Sequence, residues 1–571
     1  MRTLARTART LPALLAATTL IAPGTAFASW PTDPAVNLPV CTASGAQQDP
    51  SVVSDGRGGT IICWTDSRSG FMSTIYAQRL DACGSALWTP GGVPLAAPVD
   101  SVFATVPSLV ADGAGGAIAM WGAARYYSAL STIDAQRIDA SGTLLWNGGA
   151  APVVVLTGAP YLIGLVGDDA GGAVCGWADA GNPSLYRQYV QRVDAGGHLS
   201  WPAGGVPMTT IGSGANGQFA PDGSGGVISA WTDTHSGNWD VYAQRVDGTG
   251  TLRWGVNGLA VCPQPQIKWM PGVVSDGAGG AVVSWTDLRV SGSPTLYGQR
   301  FDSSGAAQWP TGGSPITSSP AYLLQGSDTL VADGHGGVFA IWNAPAGLTA
   351  QHLDGTGTLQ WAASGVALDS TGSGHTLPVL ATDGSGGLLA AWPAGSGARA
   401  QSVSAAGVRQ WGGSVPLSTA PGTKEHLGLV TDGHGGLTAV WGDGRGSVDP
   451  RFPVDIYAQH LGFDGLPDDL AVAMAGAHAL ALAAPWPSPA RAGEAIALRW
   501  TQPSSGRVRL TIADVAGRRV RTLTGDVRGA GTNRANWDGR DDAGHAVAPG
   551  LYFVRLETAD RGAAAKLVIA P

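Results

Sequence analysis

The chain has 571 residues, with 33 Lys plus Arg against 41 Asp plus Glu for a formal charge of −8, and it carries 86 glycines. An acidic balance argues against a nucleic-acid partner. The five cysteines (Cys41, Cys63, Cys83, Cys175 and Cys262) form no close pair, so neither a zinc nor a redox motif is present, and an odd number leaves at least one thiol unpaired within the chain. Cys63 and Cys175 lie inside apolar runs, where they read as small buried hydrophobes.

Residues 1–28 carry Arg2, Arg6 and Arg9, then an apolar stretch from Leu11 to Ile21, then Ala26-Phe27-Ala28. That order reads as a cleavable secretory signal with Ser29 as the first mature residue, and losing three arginines takes the charge to −11. The apolar stretch is shorter than the roughly 20 residues that span a bilayer.

Residues 29–466 are expected to form one repeat array. Asp-Gly-x-Gly-Gly, followed by an apolar run ending in Trp nine residues after the Asp, begins at Asp55, Asp112, Asp168, Asp222, Asp276, Asp333, Asp383 and Asp432, with Asp169 replacing the first Gly of the third copy. A steady period built of short β-type segments and Gly-rich turns indicates a propeller. In the fourth unit, Val227 to Trp231, Asp240 to Val246, Thr251 to Trp254 leading to Leu259-Ala260-Val261, and Gly272 to Ser275 supply four predicted strands. A second signature, Asp-x-x-Gly-x-x-x-Trp or close to it, ends at Trp88, Trp146, Trp201, Trp254, Trp309, Trp361 and Trp411, and the last unit lacks its own. Trp30-Pro31 followed by Leu38 to Cys41 supplies the missing piece, so the expected fold is an all-β, eight-bladed β-propeller closed by an N-terminal strand. Closure removes exposed sheet edges.

Residues that recur in every unit read as structural. Trp64, Trp121, Trp177, Trp231, Trp285, Trp342, Trp392 and Trp441 are expected to fill the space between neighbouring blades. The turn Asp residues accept backbone amides, while one carboxylate per turn is too few for a calcium ion. Gln78, Gln136, Gln191, Gln244, Gln299, Gln351, Gln401 and Gln459 are expected to bond blade backbone. Asp66-Ser67-Arg68, Asp287-Leu288-Arg289 and Asp443-Gly444-Arg445 read as turn and salt-bridge chemistry. No metal and no cofactor is expected.

Departures from the repeat are the candidate ligand-binding residues: Arg125, Tyr126 and Tyr127 in the second unit, His235, Asn238 and Trp239 in the fourth, Lys268-Trp269, and Lys424 with Glu425 and His426 between units. Exposed aromatics beside polar groups suit sugars or peptides. Glu425 is the only Glu before the tail, and neither a Gly-x-Ser-x-Gly elbow nor a His-Glu-x-x-His occurs. No catalytic residue is therefore nominated.

An Ala-rich linker, 467–484, leads to a distinct domain at 485–571. From Pro485 onward 13 Lys plus Arg face 8 Asp plus Glu, so the tail is basic while the array is acidic. Arg507 to Ile512, the hairpin Asp514 to Arg518, Arg519 to Leu523, Trp537 to Asp541, Gly550 to Leu556 and Lys566 to Ile569 predict a small Ig-like β-sandwich.

The Asp81-Ala82-x-Gly84-x-x-x-Trp88 pattern resembles the tryptophan-docking motif of eight-bladed quinoprotein-type propellers, one residue shorter between Asp and Gly, but their adjacent cysteines and calcium-bound cofactor site have no counterpart here. Sialidase Asp-boxes place an aromatic closer behind the Asp. The Asp-Gly-x-Gly-Gly…Tyr-Ala-Gln-Arg-x-Asp…Gly-x-x-x-Trp repeat is similar to that of uncharacterised exported bacterial proteins, a likeness that implies no activity. The tail resembles the FlgD-type Ig-like domain and the sorting domains of type IX secretion, which implies export or attachment through secretion machinery at the surface of a Gram-negative-type bacterium. The combined expectation is a secreted or surface-displayed monomer that binds an extracellular glycan or protein without catalysis. The alternative is a propeller hydrolase or lyase acting on extracellular polysaccharide.

Overall fold

The computed structural model describes residues 30–570 except 71, 98–101, 126–129, 147–150, 158–160, 180–186, 212–214, 290–292, 318–328, 346, 371–376, 434, 448–454, 468–479, 483–484, 486–489, 492–495, 503, 530 and 559–560. The predicted signal, most of the predicted linker, and Tyr126 and Tyr127 lie outside the described residues. Within them the chain is all-β, with no α-helix.

Each repeat contributes to one antiparallel sheet. In the fourth, Ala215–Pro221, Val227–Asp233, Asp240–Val246 and Leu259–Ala260 lie side by side in chain order. Two details correct the sequence reading. The strand preceding each Asp-Gly turn opens the sheet that follows it, so Lys268–Ser275 belongs to the fifth sheet, not to the fourth. Thr251 to Trp254 is no strand: one bridge, Val246 to Leu252, follows the tight turn at Asp247, and pairing resumes only at Leu259.

Eight such sheets precede the tail among the described residues. Their first strands, Gln47–Ser54, Ser108–Ala111, Tyr161–Gly167, Ala215–Pro221, Lys268–Ser275, Leu330–Ala332, Val379–Thr382 and Lys424–Thr431, touch in succession, and the last touches the first. Apolar clusters fill each junction. One joins Ile61, Cys63 and Trp88 of the first sheet to Leu109, Ala117 and Trp121 of the second. At the seam, Val440, Ile456 and Ala458 meet Ile62, Trp64 and Leu80 around Trp30, Val40 and Cys41. Burial of a tryptophan at every junction removes large apolar areas from water, and the eight within the second strands are all buried.

Leu38–Cys41 pairs antiparallel with Asp455–Leu461 of the last sheet, as the N-terminal strand was expected to do. Trp30 then acts as the last sheet's docking tryptophan. Its Nε1 donates to Ala82 O at 2.8 Å, while Trp88, Trp146, Trp201, Trp254, Trp309, Trp361 and Trp411 each donate to a carbonyl of the next sheet's turn at 2.9–3.3 Å.

The recurring polar residues complete these junctions. Asp55 Oδ1 accepts the amides of Arg57 and Gly59, both at 2.8 Å, and its Oδ2 takes Nε and Nη2 of Arg79 at 3.0 and 2.8 Å. A Cβ on Gly59 would lie 2.4 Å from Leu80 O, so only glycine closes this turn. Arg79 Nη1 reaches across to Ala140 O at 2.7 Å. The same relay recurs with Arg137, Arg192, Arg245 and Arg300. His352 and His460 take the arginine's place in the sixth and last sheets. Gln78 Oε1 accepts from Arg79 N and Trp88 N while Nε2 donates to Thr89 O, replacing ladder bonds where the outer strand has bent away.

The tail forms an Ig-like pair of sheets. Ala481–Leu482, Ile496–Gln502 and Gly531–Trp537 make one; Ala490–Arg491, Gly562–Ala570, Gly550–Glu557, Arg509–Asp514 and Arg519–Thr524 make the other. Leu498, Trp500 and Trp537 pack against Leu510, Ile512, Val554, Leu556, Leu567 and Ile569 between them.

Candidate functional site

All Asp-Gly turns, and the turns that the docking tryptophans reach, lie at one end of the strands; the loops between second and third strands, and the connectors entering each first strand, lie at the other. Every described candidate residue sits at this second end.

In three sheets the loop begins with one arrangement. Asp66 Oδ2 accepts Trp64 Nε1 at 2.8 Å and Arg68 Nη2 at 2.6 Å, and the guanidinium lies 3.9 Å from the Tyr76 ring centre. Arg289 over Tyr297 and Arg445 over Tyr457 repeat it, so the expected turn and salt-bridge role is what the geometry shows. In the fourth sheet the carboxylate is Asp233, and His235 replaces the arginine. Its Nδ1 lies 3.0 Å from Asp233 Oδ1 and its ring centre 4.5 Å from that of Tyr242.

The rest of that loop is tied to the connector entering the fifth sheet. Asn238 Nδ2 donates to Pro265 O at 2.7 Å, Asn238 Oδ1 accepts Trp239 N at 3.0 Å, and Trp239 O accepts Lys268 N at 2.9 Å. His235, Asn238, Trp239, Lys268 and Trp269 are thus gathered at one junction. Trp239 is 48% exposed, Trp269 partly so.

Lys268 departs from the sequence reading as a ligand residue. Its side chain is fully buried, and Nζ donates to Asp240 Oδ1 at 2.6 Å, to Gln266 O at 2.8 Å and to Gln264 O. Saturated by these acceptors, it pins the connector rather than facing a ligand. Lys424 does the same in the last sheet, donating to carbonyls of Ser396, Ala420, Pro421 and Gly422 beside Asp443, and burial pulls its ammonium below the usual lysine range.

Glu425 and His426 follow Lys424 on the first strand of the last sheet, remote from the Trp239 junction. His426 Nδ1 is 3.1 Å from Asp49 Oδ1 on the first strand of the first sheet. Burial raises the Asp49 carboxyl above its ordinary range, opposed by His426. Sequence reasoning missed Asp49, although its offset from Asp55 matches that of His426 from Asp432. Arg125 ends the strand Ala117–Arg125, paired with Val102.

At the turn end, a cavity of about 770 Å³ is lined by Arg192, Ser224, Arg245, Arg253 and Ser303. Its guanidiniums are already engaged by Asp168, Asp222 and Asp247. Among the described residues no group of three His, Cys, Asp or Glu is placed to hold a metal ion.

Residues 489–562 match the FlgD Ig-like domain family. No curated protein matches the chain. Among solved structures, an α-L-arabinanase of Penicillium chrysogenum is 9% identical with a TM-score of 0.35, covering 75% of this chain and 98% of that one. The β-propeller domain of the Trilobed protease from Pyrococcus furiosus is 10% identical with a TM-score of 0.35, covering 66% and 98%. PorZ of Porphyromonas gingivalis, a surface component of the type-IX secretion system, is 12% identical with a TM-score of 0.28, covering 93% and 82%. At such scores these likenesses carry no argument about activity.

Proposed function

We propose that the protein is a secreted or surface-displayed binding protein in which the eight sheets are blades of one β-propeller closed by Leu38–Cys41. The face opposite the Asp-Gly turns presents loop aromatics to an extracellular glycan or protein, and the Ig-like tail serves export or surface attachment. One observation carries this reading. Trp239, half exposed, is anchored through its backbone: its N donates to Asn238 Oδ1 and its O accepts from Lys268 N, the residue before Trp269. An exposed indole on an anchored backbone offers a flat apolar face, and with two side-chain torsions it costs little entropy to order on binding.

Glycan and peptide arrays probed with the wild-type chain and with Trp239→Ala and Trp269→Ala variants test it. The expected result is retention of a ligand by wild type and a loss on the order of tenfold in each variant, as for an aromatic hot spot, with thermal midpoints unchanged. Equal retention by all three overturns the site assignment. Release of new reducing ends from a bound polysaccharide overturns the non-catalytic reading.

A further inference from the structure

The first strands share a bulge. Pairing shifts between Gln48 and Ser51, between Trp269 and Gly272, and between Glu425 and Gly428. Within these bulges Asp49, Met270 and His426 take φ of +54°, +51° and +48°, and Leu377, two residues before paired Val379, takes +48°. Long or branched side chains seldom adopt that conformation, and a bulge re-aims the residue it holds. Val106 occupies the same offset in the second sheet, two residues before paired Ser108. Because the first strands touch in order and across the seam, Leu377, His426, Asp49 and Val106 lie at one level on four successive sheets. Leu377 is 48% exposed and Val106 51%.

We infer that this arc binds a primary ammonium group carried on an aliphatic chain, as at the amino terminus of a peptide beginning with Leu or on an alkylamine. Asp49 receives the ammonium, and Leu377 and Val106 receive the aliphatic part. Three observations support the assignment. Asp66, Asp287 and Asp443 each hold a guanidinium at 2.6–2.7 Å, whereas Asp49 faces an imidazole and, among the described residues, pairs with no Arg or Lys. Burial disfavours the charged form of the Asp49 carboxyl, and a cation bound beside it offsets that cost. Residues 29–484 hold 17 Lys plus Arg against 33 Asp plus Glu, so their field attracts cations. Finally, two exposed aliphatic side chains flank the pair, which fits a ligand that is apolar next to its charge.

The inference rests on the proposed closed arrangement of sheets, but its readout is separate from that of the Trp239 site. Calorimetric titration of the full chain with Leu-Gly-Gly, N-acetyl-Leu-Gly-Gly and n-butylammonium tests it. Binding of the tripeptide is expected to fall on the order of tenfold on acetylation and again in Asp49→Asn, the worth of one charge-assisted hydrogen bond. Leu377→Ser is expected to weaken it several-fold, and Trp239→Ala to leave it unchanged. Tighter binding of n-butylammonium than of the tripeptide supports the site with a free amine as its ligand. Binding that survives both acetylation and Asp49→Asn, or no binding of either amine, overturns it.

Discussion

The two ends of the strands are built from the same eight units and have opposite character. At the Asp-Gly end the carboxylate and the docking indole recur with nearly the same distances, the arginine relay holds in five sheets with a histidine in two more, and these bonds cross to the next sheet or close a turn. At the other end the Asp-Arg-Tyr arrangement holds in three sheets, His235 replaces the arginine in the fourth, and tryptophans outside the repeat, Trp239 and Trp269, stand at the fourth and fifth only. The repeated end therefore carries cohesion. The varied end carries whatever distinguishes one part of the molecule from another.

The comparison breaks first at the seam, where the N-terminal strand adds to the direct contact between the first and last sheets. Trp30→Ala removes a buried indole and its bond to Ala82 O, and is expected to cost about 3–5 kcal/mol, read from urea unfolding. A cost near zero would mean that the first and last sheets hold together without the N-terminal strand. Next in size is Asp222→Ala, which leaves the Arg245 guanidinium and the amides of Ser224 and Gly226 without their acceptor. About 3 kcal/mol is expected for a broken, largely buried pair. Asn238→Ala at the opposite end is expected to stay near 0.5 kcal/mol, the range of exposed surface changes. Similar costs at both ends would remove the distinction.

Why the first end was legible and the second was not follows from how information repeats. Eight copies of Gln, seven of them ten residues before a Trp, reveal a shared structural duty, and Gln78 and Trp88 perform it. A residue that appears once carries no such internal control. Lys268, matched at its offset only by Lys424, departs from the other units and so reads as a site, yet both are buried. Strand alternation does not sort Lys268 from Trp269, because the bulge before Gly272 resets which face each residue takes. The Asp49–His426 contact joins residues from opposite ends of the array, and only the alignment of their bulges hints at it.

Acid tests the cohesion of the turn end more gently. Burial raises the Asp247 carboxyl, but bonds from Thr249, Thr251 and Arg253 outweigh it and hold the group at about 2. The unfolded value is near ~3.9. A depressed carboxylate stabilises the fold above its unfolded value, and this contribution is lost as pH falls through the folded one. Similar bonds lower Asp139, Asp302 and Asp354. Urea midpoints are therefore expected to hold steady above about pH 5 and to decline between about pH 4 and 2. Asp247→Asn is expected to flatten part of that decline.

The smallest effect sharpens the comparison most, because it asks whether the varied end was relieved of structural duty. His235 stands where three other sheets place an arginine, and Asp233 and Tyr242 retain the partners that an arginine would use. His235→Arg restores a fork of donors to the carboxylate and a cation over the ring, so the variant is expected to gain about 0.5–1 kcal/mol. A double-mutant cycle with Tyr242→Leu isolates the ring's share, since the two residues touch. If His235→Arg gains stability and leaves ligand retention by Trp239 intact, the histidine is a tolerated variant of a structural position. If it gains stability but loses retention, the sheet gave up cohesion at His235 to shape the loop that presents Trp239. A loss of stability would show instead that the loop has been rebuilt around the imidazole, and that the resemblance to the three arginine sheets ends at Asp233.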